Sequence, residues 1–428
     1  MEFRGTTHPA MRENEFRDAY CAVTGIEDAA RSLVFERVIE DKKGGYDLAS
    51  YVSLPSDSIA RDVANRCATV RSVVQVYADE HSTHDLASAV HKQIDVIEES
   101  FVSPESGKHL SSNPWRVKFR RYGRSGGSGL SYAEKKKMLK TFDPVFNGLA
   151  DRLSNFHVNL THPAVSLLYL EDWGHFHEAF NRYQVQPGKK ATDDDFESGL
   201  LAPARVLLGR LVAEPPCVET VYNIKKRPFI GTTTMDPVSS HLAANAARVR
   251  PGHRVLDPFC GTGSLLIAAA ALGATVVGSD IDGECLTIRP GLEDAASGQG
   301  VPFAASKNKR FKRKIKGMPT DYVEYQTSAC TGTNFGFYSM ESQLAALLSR
   351  DAVEWLEPQE ATDASSCTDT EIGAERERGD EQDVSEWAFD AIVTDPPFGR
   401  REKGRGSLES DETDIETDIE TDIETETV

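Results

Sequence analysis

Two short stretches of this 428-residue chain carry side chains that could do chemistry together. Near its end, Asp395-Pro396-Pro397-Phe398-Gly399 joins a carboxylate, two prolines and a flat ring. Proline fixes its own φ and restricts the residue before it, so the carboxylate and the neighbouring carbonyls are held facing one point. A planar, amine-bearing ring stacked on Phe398 would set its exocyclic nitrogen against Asp395 and the carbonyl of Pro396. The second stretch, Asp257-Pro258-Phe259-Cys260-Gly261-Thr262-Gly263-Ser264, is a glycine-rich turn with an acid at its start. A further acid, Asp280, follows at about the 20-residue interval of a carboxylate that grips ribose hydroxyls.

These groups need elements to position them. Residues 254–257 are an apolar run ending in Asp, 265–272 are Ala, Leu and Ile without Pro or charge, and 274–280 are a second apolar run ending in Asp. That order predicts one β-α-β unit, the half of a fold that binds a nucleotide. In a parallel sheet the ligand lies across the carboxyl ends of the strands, so Asp257 and Asp280 are expected in one crevice, with Gly261 and Gly263 letting the backbone come close. Phe389-Asp390-Ala391-Ile392-Val393-Thr394 reads as a buried strand leading straight into Asp395. Taken alone, either stretch has a bland reading, an ordinary strand-turn-helix or a surface turn; together they resemble the amino-methyltransferases that work on nucleobases, which implies methyl transfer from S-adenosylmethionine.

Length allows two or three domains, and 39% hydrophobic residues suffice for real cores. No run approaches 18 uncharged apolar residues and the N-terminus shows no signal or transit segment, which predicts a soluble intracellular protein without membrane contact. Seven scattered cysteines with no Cys-x-x-Cys pair fit reduced thiols and offer no metal site; His157, His162, His175 and His177 read as satisfied polar side chains. The net charge of −19 is concentrated in two tracts: 351–386 carries −11 and 407–428 carries −10, leaving +2 for the remainder. Acidity therefore says little about the folded surface.

Residues 1–80 read as a small α+β module: 15–36 is partly amphipathic, 48–54 strand-like, 56–67 a helix capped by Ser56 or Asp57, and 70–77 an alternating strand. Residues 81–200 form a second α+β region. In it Trp115-Arg116-Val117-Lys118-Phe119-Arg120-Arg121-Tyr122-Gly123-Arg124 alternates apolar and basic residues, and Lys135-Lys136-Lys137 opens the next helix. A strand with one face in the core and a cationic face outward suits phosphate contacts, with Arg116, Lys118, Arg120, Arg121, Arg124, Lys135 and Lys136 as candidates; a solvated basic edge is the alternative. Residues 125–129 are a Gly/Ser loop, 165–172 another apolar strand. The segment 201–234 reads as a linker, broken by Pro215-Pro216, before an Ala-rich helix over 238–249 that Asp236 and Pro237 begin.

Lys225-Lys226-Arg227-Pro228-Phe229-Ile230-Gly231, Thr233-Thr234-Met235-Asp236-Pro237, the 257–268 stretch, Asp280-Ile281-Asp282 and Thr394-Asp395-Pro396-Pro397-Phe398-Gly399 together resemble the eukaryotic and archaeal tRNA (guanine-N2)-methyltransferases that modify guanosine 10. The likeness reaches forward to Leu54-Pro55-Ser56-Asp57 and to 115–140, similar to that family's ferredoxin-like and THUMP regions. It implies an α/β, Rossmann-like class I methyltransferase domain over 235–406, tRNA as substrate, S-adenosylmethionine as donor, a cytoplasmic setting and, in eukaryotes, a small zinc-binding activator subunit. The resemblance assigns Asp257, Gly261 and Gly263, with Phe259 and Thr262 of the same turn, to the methionine part of the donor. Thr233 and Asp236 flank it, Asp280 holds the ribose, Ile281 lies against the adenine and Asp351 faces the adenine amine. Asp395, with Pro396 and Pro397, takes the guanine N2 group, and Phe398 stacks on the flipped base; no metal is implied.

Several features depart from that pattern. The family usually has Tyr at the Phe398 position. Such a sheet continues with three more strands, whereas about 30 residues follow Asp395 here, so the catalytic domain is expected to be truncated and the 391–394 strand to be a bare apolar edge. Residues 284–326 form an insert whose 307–316 run has seven bases and no acid, suited to phosphates, nuclear import or plain solvation. An acidic insert spans 354–386, and 407–428 is an acidic tail with Thr-Asp-Ile-Glu three times, both expected to be disordered. Two competing readings are an adenine-N6 methyltransferase on DNA or RNA, which leaves the first 200 residues unexplained, and an inactive tRNA-binding remnant.

Overall fold

The computed structural model describes residues 1–4, 8–41, 46–102, 110–122, 130–174, 203–231, 234–282, 285–286, 330–352 and 388–396. The 125–129 loop, the basic run 307–316, the acidic insert 354–386, the 407–428 tail and the candidate residues Arg124, Thr233, Pro397 and Phe398 lie outside these.

The N-terminal half is built on one eight-stranded sheet. Its strands are β1 (Glu2–Phe3), β2 (Glu36–Asp41), β3 (Tyr46–Tyr51), β4 (Val70–Glu80), β5 (Asn113–Tyr122), β6 (Phe156–Val158), β7 (Val165–Asp172) and β8 (Arg205–Ala213), in the order β2-β3-β1-β4-β8-β7-β5-β6. Strand β8 pairs antiparallel with both β4 and β7. This corrects the linker expected to start at 201: its apolar stretch is a central strand, and the segments 1–80 and 81–200 share one continuous ladder. Pro215-Pro216 ends that strand because proline cannot donate to the ladder.

Side-chain alternation along β7 explains the sheet's shape. Val165, Leu167 and Tyr169 pack with Trp115 against the helices Thr83–His91, Ile94–Glu99, Tyr132–Thr141 and Asp143–Arg152. Leu168 and Leu170 on the opposite face pack with Leu207 against Ile39 of β2 and Ala49 of β3. Strands β1 and β4 separate β3 from β8 in the ladder, so this contact requires the sheet to curl over and cover its own second face. Both faces of β7 are thereby buried, and its apolar run is continuous. The helix Asp57–Arg66 begins as expected, with Ser56 accepting the Ile59 N–H at 3.3 Å, and Ser131 with Glu134 forms a reciprocal capping box on Tyr132–Thr141.

The same curl overturns part of the cationic-face expectation. Lys118 and Arg120 do lie on the face opposite the helices, but β1 and β4 cover it. The Arg120 side chain is 8% exposed and ion-paired to Glu2, 3% exposed, and to Glu214; it also donates to Ser72 at 2.9 Å. Lys118 pairs with Glu214. Arg121, on the helix side, donates to Glu171 at 2.7 Å and Glu134 at 3.0 Å. Glu134 is held down to about 2: burial would raise it, but hydrogen bonds from Ser131 and Arg121 outweigh that. Arg120 and Arg121 are thus structural cations with their donors already used, unavailable to phosphates.

The C-terminal half carries a four-stranded, all-parallel sheet of β9 (Arg254–Asp257), β10 (Thr275–Asp280), β11 (Leu344–Ser349) and β12 (Ala391–Ile392), ordered β11-β10-β9-β12. This is the Rossmann-like α/β arrangement expected. The helix Ser264–Ala271 joins β9 to β10 and is buried on nearly every side, which its uncharged composition requires. Strand β12 differs from the buried strand expected over 389–394: only Val393 is buried, and Ile392 is 60% exposed on a strand whose partner among the described residues is β9 alone. Among the described residues that edge is uncovered.

Because Glu2 would be left as a buried charge, Arg120→Ala should cost about 3–5 kcal/mol in urea unfolding, whereas Lys136→Ala on the exposed helix face should stay within about 0.5 kcal/mol. Equal, small losses for both would return Arg120 to the surface role.

Candidate active site

The crevice is assembled from strand ends. Asp257 is the last residue of β9, Asp280 the last of β10, and Asp395 follows β12 by three residues, so three carboxylates come from the carboxyl ends of adjacent parallel strands. Asp257 is 1% exposed, while Asp395 and Pro396 are exposed. Burial pushes the Asp257 carboxyl up to about 7; the charges of Asp280 and Asp395 push the same way, against hydrogen bonds from the Thr394 side chain and the Phe259 N–H. Asp395 thus lies near enough for its charge to act on Asp257, and both acids follow the carboxyl ends of paired parallel strands.

Between β9 and its helix the chain turns through Gly261 (φ 48°) and Gly263 (φ 78°), both left-handed. A side chain at Gly263 would collide with Thr331 Cγ2, 2.8 Å from an added Cβ, whereas one at Gly261 would meet nothing within 4 Å. Gly261 thus borders open space on the side where a Cβ would stand. Its N–H donates to Asp280 Oδ2 at 2.9 Å, and the Asp282 N–H donates to Asp280 Oδ1 at 2.9 Å, which fixes the carboxylate at the mouth of the turn. Beside it Ile281 is 53% and Phe259 37% exposed, two apolar surfaces on the rim. Asp351, half-buried, lies two residues beyond β11; the preceding Arg350 N–H donates to the Asp280 carbonyl at 3.2 Å, so this acid too is tied to the end of β10. Asp236 accepts the Ser239 N–H at 3.0 Å and, with Pro237 buried behind it, starts the helix Pro237–Ala246. Thr262 Oγ1 lies 3.1 Å from Thr234 Oγ1, which joins that segment to the glycine turn.

Other residues that hold the turn have no spacing signal. Asn334, fully buried on the helix Thr331–Phe337, donates to the carbonyls of Phe229 (2.9 Å) and Thr262 (3.0 Å) and accepts the Phe229 N–H (3.0 Å). Thr331 donates to the Gly261 carbonyl at 2.6 Å, and the buried Arg227 donates to Ser264 Oγ at 2.7 Å and Tyr338 Oη at 3.1 Å. The long insert separates Thr331 and Asn334 from the turn in sequence, so only the fold reveals the link. His241, behind Pro237, is lowered to about 4 by burial, so its ring is neutral near pH 7. The remaining basic candidates sit on the eight-stranded sheet and its helices. Arg116 is half-buried and donates to Ser166 (3.0 Å) and the Leu160 carbonyl (2.9 Å), Lys135 lies over the Phe119 ring at 5.6 Å, and Lys136 is exposed.

Comparison with known proteins finds a family model and several relatives that match the sequence. Residues 225–326 match the family model described as RMKL-like, methyltransferase domain. The chain is 26% identical over 364 residues to the mouse (Mus musculus) tRNA (guanine(10)-N(2))-methyltransferase TRMT11 and 26% over 366 residues to the human (Homo sapiens) protein of that name, covering 83% of this chain and 58% of each relative. The Dictyostelium discoideum protein of the same name is 27% identical over 240 residues, 54% of this chain and 41% of that one. The chain thus spans well under two thirds of the length of these relatives. Among the described residues no helix is long and apolar enough to cross a membrane.

A carboxyl raised this far makes the folded state hold a proton that the unfolded chain has lost between about pH 4 and 7, so its contribution to stability falls as pH rises through that window. Asp257→Asn removes the penalty: its stability relative to wild type, from urea unfolding at pH 5, 6, 7 and 8, should grow up to about pH 7 and then level off, with a span on the order of a few kcal/mol. A difference that does not change with pH would contradict the buried-carboxyl assignment.

Proposed function

We propose that this protein is an S-adenosylmethionine-dependent tRNA methyltransferase that forms N2-methylguanosine at position 10. The observation that carries the reading is the convergence of Asp257, Asp280 and Asp395 on one end of the parallel sheet beside the unfilled space at Gly261. The likeness to the TRMT11 proteins supports the choice of tRNA and of guanine. The residues fit the donor: unfilled space over Gly261, a fixed carboxylate at Asp280 for ribose hydroxyls, exposed apolar faces at Ile281 and Phe259 for a purine, and acids for cationic groups. Asp257, Thr262, Gly263, Thr233, Asp236 and Asp351 complete its enclosure in this reading. Bound there, S-adenosylmethionine supplies an electrophilic methyl group on a cationic sulfur.

The chain's own part is orientation and charge. Asp395 accepts hydrogen bonds from the guanine N2 amine, aims its lone pair at the methyl carbon and stabilises the positive charge that develops on nitrogen. The rigid Pro396-Pro397 pair holds that carboxylate, and Phe398 stacks on the everted base. Asp257, poised near neutrality, gains negative charge as a cation settles beside it. The ferredoxin-like and THUMP modules proposed for 1–80 and 81–200 bring the RNA, with Arg116, Lys135 and Lys136 contacting phosphate. A cytoplasmic setting and the zinc-binding activator subunit belong to the same reading.

The test is transfer of labelled methyl groups, with the activator present, to a tRNA transcript and to one with guanine 10 replaced by adenine. Transfer should require the guanine, and Asp395→Ala should lower the rate at least about 100-fold, as loss of a group acting on developing charge does, with donor affinity held within threefold. Transfer to adenine would support the adenine-N6 alternative, and tRNA binding without any transfer would support the inactive remnant.

A further inference from the structure

A buried polar network joins the two halves of the protein. Glu15, on the helix Arg12–Thr24, is 2% exposed and accepts four hydrogen bonds: the Ala68 N–H (2.7 Å), the Thr69 N–H (3.0 Å), the Thr69 hydroxyl (2.5 Å) and, from the other half, the Asn245 Nδ2 amide (3.1 Å). Asn245, completely buried, also donates to the Arg66 carbonyl (3.0 Å) and accepts from the Arg66 guanidinium (3.3 Å), which in turn reaches the Val249 carbonyl at 2.5 Å. Ala68, Val238 and Leu242 pack together beside it. At the rim, Arg248 holds a left-handed backbone (φ 51°) and donates to Asp18 (3.1 Å) and Glu27 (2.9 Å).

Asn245 and Asp236 lie near opposite ends of one helix, Pro237–Ala246, about 15 Å long at 1.5 Å per residue. The Asp236 end is tied to the glycine turn through Thr234 and Thr262, and the Asn245 end is sunk in the N-terminal half. We infer that this helix is a strut and that Asn245 is a positioning residue: it holds the crevice in one orientation to the eight-stranded sheet, so a large nucleic-acid substrate gripped by the sheet presents its base to Asp395. Glu15 keeps its Ala68 and Thr69 donors in any arrangement, but the Asn245 side chain has its partners, Glu15 and the Arg66 carbonyl and guanidinium, only in this one; swinging the halves apart would strip that buried amide, so the orientation is sharply defined. The consequence for the substrate rests on the methyltransferase reading, while the strut itself does not.

Asn245→Asp sets a carboxylate against Glu15 and the Arg66 carbonyl at nearly constant volume. Single-molecule energy transfer between dyes introduced as non-cysteine labels at the exposed Asp151 and Glu341 should give one narrow distance distribution for wild type and a broadened or shifted one for Asn245→Asp. Arg248→Ala, on the rim and tolerated by the fold, should broaden it to a smaller extent. In unlabelled full-length protein with the activator, Asn245→Asp should raise KM for intact tRNA about tenfold, with kcat and donor affinity within twofold. Distributions that stay as narrow as wild type in both variants would overturn the strut, as would broadening with an unchanged KM for its role in positioning. A wild-type protein that transfers no methyl group would defeat the methyltransferase reading and leave the distance result standing as the measure of the strut.

Discussion

Parallel pairing of β9 with a strand on each side is the constraint from which the site follows. It brings the last residue of β9, the last of β10 and the loop after β12 to the same end of the sheet. All three positions are acidic, so like charges are concentrated where a buried Asp257 is least able to be solvated, and its carboxyl responds by rising to about 7. An arrangement of this kind is costly without a cationic ligand and favourable with one. In the proposed reading the glycine turn gives the donor room; Asp280 braces the turn through Gly261, and Asn334 and Thr331 brace it from outside.

The N-terminal half works on a different principle. Curling of the eight-stranded sheet buries both faces of β7 and turns much of what would be a cationic surface on β5 into ion pairs, buried at Glu2 and Arg120 and partly exposed at Lys118 and Glu214. Once paired and desolvated, such cations define geometry more than they attract phosphate. Any nucleic-acid contact must therefore come from residues outside that set, of which Lys136 is exposed and Arg116 and Lys135 are partly so.

Local chemistry was legible in the sequence and long-range coverage was not. The strand at Val165–Asp172, the helix starts at Ser56 and Asp236, and the β-α-β unit around Gly261 follow from periodicity and capping residues, which act over a few positions. The apolar run at Arg205–Ala213 looked like a connector because its partners, β4 and β7, are remote in sequence and because two prolines close it. Alternation along β5 separated its two faces except at Arg121, which was grouped with the cationic face and lies on the helix side. It could not say that β1 and β4 return to cover one of them, and so could not tell a structural arginine from one that meets RNA. Asp257, Asp280 and Asp395 were legible as acids at strand ends because each signal is local to its own strand, while Asn334 and Thr331 enter from beyond an insert that no spacing rule spans.

The central claim, that the acidic strand ends form one pocket for a cationic methyl donor, is tested most directly by calorimetric titration of S-adenosylmethionine near pH 7 in buffers of different ionisation enthalpy. A cation seated beside Asp257 lowers its raised carboxyl, so binding should release a fraction of a proton, affinity should increase from pH 6 to pH 8, and Asp257→Asn should abolish the release. Heat that is the same in every buffer, or binding that Asp257→Asn and Asp280→Ala both leave unchanged, would contradict the account.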